Sequence, residues 1–422
     1  MERCLNYDVV VAGGGTAGTA AAIGAAKAGA KTLLIERNAY CGGNATNAGV
    51  SSFCGFYTCG ENPVKVVAGA GDCLLDAMRS LDPSSVEIVI SASGNQNINF
   101  KPEYLKCAID NVLEETGVDV LLHTRVIAAE TEDKQVTKLL LSDDAGQFSV
   151  RARAFVDATG DANLTAMCGG KTVWGGSDGK VQAATLTFRM SGVDTAADLS
   201  PAAVERAVKK AKEAGIPHLT RERGFILKID GSNLVSVLLP SMMPQSLDAA
   251  ELTRMETDTR KQTLSYVKAL KEYLPGMEQA ELAVIGPSIG FRETRKIVGL
   301  EQISADDVLN RRKRADGVAR GGWKPEIHKS LNEAATYVDV KEGSYFDIPL
   351  SALQSESFLN LYGAGRNVSA DEEAFAAVRV MGTCFATGQA AGAAAALQAK
   401  GGGAVPEAYD VRRLLQKQDA LV

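Results

Sequence analysis

Near the start of this chain Gly13, Gly15 and Gly18 are spaced Gly-x-Gly-x-x-Gly, directly after the apolar run Tyr7 to Ala12 and at the opening of an alanine-rich stretch beginning at Thr16. An uninterrupted apolar run suits a strand buried on both faces, as in a parallel sheet. The alanines continue to Ala28 and stop at Gly29, a helix with its C-terminal glycine. "KTLLIER", Lys31 to Arg37, is the next strand, completing a βαβ unit whose crossover is expected to be right-handed. At such a corner the first glycine permits the tight turn, the second lets backbone approach a pyrophosphate and the third lets helix and strand pack closely. The helix N-terminus adds the positive end of its dipole. Glu36 ends the second strand, where a carboxylate accepts hydrogen bonds from an adenosine ribose and repels a 2′-phosphate, which disfavours NADP.

A length of 422 residues implies two intimately packed domains, or one large domain with an insertion. The 42 glycines against 12 prolines indicate many tight turns and close backbone approaches. A net charge of -6, with no basic cluster beyond "NRRKRADG" at Asn310 to Gly317, argues against nucleic acid as a partner, and that run reads as a solvated helix face. Eight scattered cysteines and three histidines give no metal-ligand spacing, so no metal site is expected and a reducing cytoplasm fits. "MERCLNYD" lacks the apolar core of a signal peptide. "VMGTCFATGQAAGAAAALQA" is long and apolar, but its Ala and Gly content and Gln389 suit a helix packed against other backbone better than a transmembrane span.

Asn38 to Lys101 reads as functional loop with short helix, Pro102 to Thr116 as a helix, and "VDVLLHTRVIAAE" as a strand pair. A strand, a "DDAG" hairpin turn, a further strand and a buried strand ending at "ATGD" follow. The expected architecture is α/β: a Rossmann-like domain of parallel sheet plus β-meander from residues 1–162 and 351–422, with an inserted α+β substrate or cap domain at 163–350. The insertion carries strands in "AATLTFRMSGV" and "FILKIDGSNLVSVLLP" and charged helices near Ala202 to Ala214 and Leu252 to Tyr273.

FAD and NAD share the glycine corner, and three further stretches select FAD: "ERNAYCGGNATNAG", "FVDATGDAN", and "LYGAGRNVSADEEAFAAVRVMGTCFATGQAAGAAAAL". With these motifs in this order, and "GFRETRKIVGL" and "YFDIPLSAL" between them, the chain resembles the FAD-dependent oxidoreductases with a glutathione-reductase-like FAD domain, on the branch related to fumarate reductase and succinate dehydrogenase flavoproteins. The resemblance implies that Gly13, Gly15, Thr16, Ala17 and Gly18 hold the pyrophosphate, Glu36 and Arg37 the adenosine side, and Gly42, Gly43, Asn44, Ala45 and Thr46 the ribityl and flavin side. It further implies that Val126 meets the adenine through its backbone and that Ala158, Thr159, Gly160 and Asp161 pass near the ribose. Gly365 and Arg366 would begin a second flavin contact, and Gly382 and Thr383 would start a helix whose N–H groups face the flavin C2 carbonyl.

For the substrate, the resemblance makes Arg292 the first candidate to bind an anionic group, a planar guanidinium being suited to bidentate carboxylate recognition. An ion-pair network of Arg292, Glu293 and Arg295 at the domain joint is the competing reading. Arg379 could reach cofactor or substrate, or form a salt bridge to Asp371 or Glu372; His328 and Tyr345 are candidate proton donors, or simply packed. The favoured activity is hydride transfer between flavin N5 and a small, anionic organic substrate. Two alternatives stand beside it: a flavin subunit of an electron-transfer assembly, reloaded by oxygen, a quinone or an iron-sulfur partner, and a disulfide reductase using Cys54 and Cys59 of "CGFYTC". Against the latter, "VVAGAGDCLL", the other candidate nucleotide corner, lacks a helix-opening third glycine. Cys41 is a candidate for covalent flavin attachment or an inert loop thiol.

Overall fold

The computed structural model describes residues 4–91, 94–229, 233–331, 335–341 and 343–422. Its centre is a five-stranded parallel sheet in the order Leu361–Gly363, Ala154–Asp157, Val9–Ala12, Thr32–Ile35, Asp119–Leu121. Val9–Ala12 is buried along its whole length, as its unbroken apolar run requires of a middle strand, and pairs Val9 with Thr32 on one side and with Ala154 on the other. The expected meander is a second sheet of Cys4–Asn6, Gly146–Arg151, Gln135–Asp143 and Arg125–Glu132. Its hairpin turns at Gly146, with φ +132°, and Asp143 accepts the Ala145 N–H there (2.9 Å).

The first helix, Thr16–Lys27, lies against the long C-terminal helix, Met381–Lys400, backbone to backbone. A Cβ at Gly388 would stand 2.1 Å from the Ala17 carbonyl oxygen, and one at Gly392 would stand 1.9 Å from that of Ala21. The alanine and glycine content of the second helix is therefore a packing requirement. No single helix among the described residues is long and apolar enough to cross a membrane.

Gln389 belongs to the same interface. Its Oε1 accepts the Ala70 N–H (2.9 Å) and caps the helix Ala70–Leu81, while its Nε2 donates to Gln418 Oε1 (3.1 Å). Residues 38–101 thus hold more structure than the expected loop. Besides this helix they carry a three-stranded antiparallel sheet of Ser52–Phe53, Gln96–Phe100 and Val86–Ile90. The N-terminus of "AGDCLLDAMRSL" is satisfied by a side chain 319 positions away, so no local cap signals it. A Cβ at Gly69 would meet Gln389 Oε1 at 2.4 Å, so this corner is closed to a second nucleotide.

Above the central sheet sits a four-stranded antiparallel sheet, ordered Phe225–Lys228, Val235–Leu238, Phe188–Ser191, Glu281–Ile285, with the helices Pro201–Glu213 and Ala249–Tyr273 packed on it. Its core is separate, built from Phe188, Met190, Val204, Val208, Tyr266 and Leu270. Ile303, Val308, Phe346 and Ile348 instead pack into the core that holds the first helix. We propose a substrate-side unit centred on this separate core within the expected 163–350 insertion.

The basic run at Asn310 to Gly317 is not a solvated helix face. The preceding helix ends at Leu309 and the run is consumed by specific contacts. Arg311 is buried and donates to the Trp323 carbonyl (3.1 Å), and Arg314 grips Glu301 and Asp316 at 2.6 and 2.9 Å. The arginines anchor a turn whose partners lie elsewhere in the sequence.

Replacing Gly392 by Ala tests the helix contact. Helix propensity alone would stabilise the protein by about 1 kcal/mol. A Cβ forced against the Ala21 carbonyl should reverse the sign and cost about 2 kcal/mol or more, read as a lowered urea midpoint.

Candidate functional site

The glycine corner forms as its spacing requires, and its glycines differ in what they avoid. A Cβ at Gly13, where φ is +98°, would stand 2.6 Å from the Ala158 carbonyl oxygen, and one at Gly18 would stand 1.7 Å from that of Gly13. Both are demanded by the protein itself. Gly15 caps the first helix with φ −67°, a value open to any residue, and the nearest atom to a Cβ there is Gly43 Cα at an ordinary 3.8 Å. Among the described residues nothing requires glycine at 15, and no side chain caps the helix end it opens.

The remaining expected cofactor residues converge on this corner. Gly42 donates its N–H to the Gly14 carbonyl (2.7 Å), and Gly43 faces Gly15 so closely that a Cβ would lie 2.9 Å from Gly15 Cα. Ala45 is buried, Thr46 donates its hydroxyl to the Cys41 carbonyl (2.9 Å), and Asn44 donates to the Phe291 carbonyl (2.9 Å), joining the loop to the strand segment that carries Arg292. The buried Glu36 accepts the Gly14 N–H (2.7 Å) and both the backbone and side-chain N–H groups of Asn38 (2.8 and 2.7 Å), while Arg37 is exposed. Thr124 donates its N–H to the Glu36 carbonyl (3.0 Å), placing Val126 two residues beyond the carboxylate strand.

Across the corner, Ala158 donates its N–H to Ala12 (2.9 Å), Thr159 bonds Asp157 (2.7 Å) and Gly160 turns with φ +80°. Asp161 accepts from Thr294 (2.8 Å) and Arg366 (3.3 Å). Gly365, with φ +68°, packs on Ala17 and takes the Thr387 hydroxyl as acceptor for its N–H (3.2 Å). The C-terminal helix starts at Met381 rather than Gly382, and the Gly382 N–H is already spent on the Cys54 carbonyl (2.9 Å). Thr383 Oγ1 and Arg366 Nη1 are buried and find no hydrogen-bond partner among the described residues.

A cavity of about 610 Å³ is lined in part by Asn44, Arg366, Val380 and Met381. Arg292, Arg379, His328, and the unexpected Arg221, Glu326 and Tyr337 line its far end. Arg292 Nη1 donates to the Ala183 carbonyl and to Thr185 Oγ1, both at 2.7 Å; Arg379 donates to the Glu326 carbonyl (2.8 Å), not to Asp371 or Glu372. Burial, with Arg379 and Arg221 adding repulsion, pulls the Arg292 pKa down to about 9, which leaves it a cation near neutral pH.

Glu326 is the hub of this end. It accepts from His328 Nε2 (3.0 Å), Tyr337 Oη (3.2 Å) and Trp323 Nε1 (3.3 Å). Burial works against its charge, but His328, Arg379 and Arg292 outweigh that and hold its carboxyl well below the usual range. Burial and the Arg292 charge push His328 down to about 3, so it is neutral. Burial and Glu326 push the Tyr337 hydroxyl up, so it keeps its proton.

Three expected residues lie elsewhere. Glu293 is buried in a pair with Lys296 (3.1 Å), and Arg295 bonds the Asp161 carbonyl (3.1 Å) and Asn163 (2.6 Å), so neither reaches the cavity and Arg292 joins no ion-pair network with them. Tyr345 stacks under Lys313 and Arg320, away from it. Cys54 lines the cavity with its thiol pushed up by burial, and the Cys59 and Cys41 thiols are raised for the same reason.

The chain matches the sequence profile of the FAD-dependent oxidoreductases over residues 8–418. It belongs to that family. FAD is its cofactor, and it is an enzyme. No curated protein matches the oxidoreductase by sequence. Similar solved structures include a geranylgeranyl bacteriochlorophyll reductase-like protein from Thermoplasma acidophilum (14% identity over 99% of this chain and 83% of that one, TM-score 0.50). The flavin-dependent brominase Bmp2, as a triple mutant, is another (15%, 98% and 86%, TM-score 0.48), as is p-nitrophenol 4-monooxygenase from Pseudomonas putida DLL-E4 (12%, 99% and 84%, TM-score 0.47). At these identities the first likeness bears on the fold alone.

Gly15→Val should give a protein that folds with a midpoint within about 1 kcal/mol of the parent, since the backbone and nearest neighbour accept a Cβ there, yet purifies without visible flavin absorbance. His328 carries a pH signature. The unfolded chain takes up its proton near 6.5 whereas the folded chain does so only at about 3, so its contribution is fully present above pH 6.5 and is lost as pH falls below that. His328→Gln should flatten the stability profile between pH 6.5 and 5 by up to one proton's slope, measured by urea unfolding at each pH.

Proposed function

We propose that this oxidoreductase moves a hydride between flavin N5 and a small organic substrate whose anionic group docks on Arg292, with Arg221 and Arg379 beside it. The observation that carries this reading is a charge imbalance: among the described residues Arg292, Arg221 and Arg379 cluster in one part of the cavity, with Glu326 as the carboxylate beside them. Arg221 Nε and Arg379 Nε are buried without hydrogen-bond partners among the described residues. Uncompensated buried cations are costly, and an incoming anion offsets that cost.

In this reading Gly13, Gly15, Thr16, Ala17 and Gly18 cradle the pyrophosphate, Glu36 and Arg37 the adenosine side with Val126 beside the adenine, and Ala158 to Asp161 the ribose. Gly42 to Thr46, Gly365, Arg366 and Thr383 hold the flavin side, while the Gly382 N–H is committed to the Cys54 carbonyl. Bound FAD supplies two-electron chemistry at N5. Arg292 orients the substrate, fixed by Ala183 and Thr185 so that little side-chain freedom is lost on binding. Glu326 stays ionised and is therefore no acid near neutral pH; it aims Tyr337 and His328. Tyr337, which keeps its proton, is the group able to hold one at the substrate.

Cys54 and Cys59 do not favour the disulfide-reductase reading, because burial works against the thiolate that attack requires. For reloading the flavin we propose an external small molecule, a quinone or an electron-transfer partner, in line with the closed corner at Gly69. The narrower tie to the fumarate reductase branch rests on motif order alone.

Arg292→Ala should remain yellow and lose turnover by about a hundredfold or more in kcat/KM, with Arg292→Lys recovering only part, since a point charge does not replace the guanidinium fork. Anaerobic bleaching of the flavin by a metabolite panel is the assay, and unchanged kinetics in the Ala variant would reduce Arg292 to scaffold.

A further inference from the structure

Arg292, Arg221 and Arg379 cluster in one part of the cavity, and away from them its wall carries a run of apolar side chains among polar ones. Val89 and Ile90, at the end of the Val86–Ile90 strand, line it from one side. Leu199, Phe225, Leu227 and Leu238, from the separate antiparallel sheet and the segment leading into its first helix, line it from the other. At the opening, two large apolar side chains stand in solvent: Ile90 is 68% exposed and Phe225 is 40% exposed. The cation on this wall, Lys228, is already committed to the Thr195 carbonyl (2.9 Å).

We infer that the substrate is an amphipathic organic acid, its anionic head on Arg292 and Arg221 and its apolar body laid between Ile90 and Phe225 toward the mouth. The inference rests on the reading that the arginine cluster receives the substrate's anion, and it adds the chemistry of what is attached to that anion. Ile90 and Phe225 belong to different sheets, so an apolar chain passing between them covers surface that neither sheet can cover for the other. Asn97 and Asn99, on the strand paired with Val86–Ile90, also line the cavity, and Asn97 Oδ1 is buried with no partner among the described residues. It can accept from a hydroxyl or amide N–H on the body of the ligand.

The test titrates the yellow holoenzyme with straight-chain carboxylates from butyrate to decanoate, and with the matching alcohols, reading the perturbation of the flavin visible spectrum. Kd should fall by about fourfold per added methylene until the chain clears the mouth, and each acid should bind more tightly than its alcohol. Ile90→Ser with Phe225→Ser, both at exposed positions, should shrink the gain per methylene for the longer acids. Arg292→Ala should remove the preference for acid over alcohol while the dependence on length persists. Carboxylates that bind with one affinity whatever their length would overturn the amphipathic assignment and leave the anion site standing. Alcohols that bind as tightly as acids, with the length dependence intact, would overturn the assignment by striking its head group, and would bring down the anion reading with it.

Discussion

The contact between the first and last long helices sets the geometry of everything else. Gly388 and Gly392 lie on the carbonyls of Ala17 and Ala21, and Gly24 lies on that of Gln389, so the two helices approach as closely as backbones allow. That approach joins residues separated by almost the whole chain. It brings the strand Leu361–Gly363 beside Ala154–Asp157, and it aims the 91° bend between Glu372–Val378 and Met381–Lys400 at the cavity. Arg379 sits on that bend, and its reach to the Glu326 carbonyl is a consequence of helix packing. A small-residue seam thus positions a charged group whose own sequence neighbourhood carries no sign of its partner.

At the far end of the cavity the chain maintains an arrangement that isolated side chains would not adopt. Among the described residues Arg292, Arg221 and Arg379 surround the Glu326 carboxylate, and His328 is kept neutral by the burial and positive charge around it. Glu326 remains charged because hydrogen bonds and cations meet it on several sides. Such a network is preorganised, since its members hold one another in place before any ligand arrives.

Local order was legible in the sequence wherever local rules decide it. The βαβ unit around Gly13 to Gly18, the meander with its turn at Gly146, and the helices Pro102–Glu115 and Ala249–Tyr273 follow from period, capping and turn chemistry. What escaped was decided at long range. The helix Ala70–Leu81 is capped from Gln389, and the run at Asn310 to Gly317 is tied down by Trp323, Glu301 and Asp316 rather than solvated. Arg292, Arg379 and His328 were legible as candidates, but Arg221, Glu326 and Tyr337 come from separate loops and strands with no motif around them. Glu293 and Arg295 share a motif with Arg292 and serve the scaffold, because successive residues of an extended segment point to opposite faces.

The glycines show how far sequence and structure answer different questions. Gly13, Gly15 and Gly18 are equivalent letters in one spacing, and each admits the same explanation until the space around it is known. Gly13 and Gly18 are held by contacts with Ala158 and with Gly13 itself, so a protein with no ligand would need them as much as one with FAD. Gly15 has an unstrained backbone, and a Cβ there would meet Gly43 Cα at an ordinary 3.8 Å, so no described contact demands glycine at that position. A glycine that the chain's own atoms do not require, at the open end of a helix, is therefore stronger support for a bound pyrophosphate than the complete pattern it belongs to.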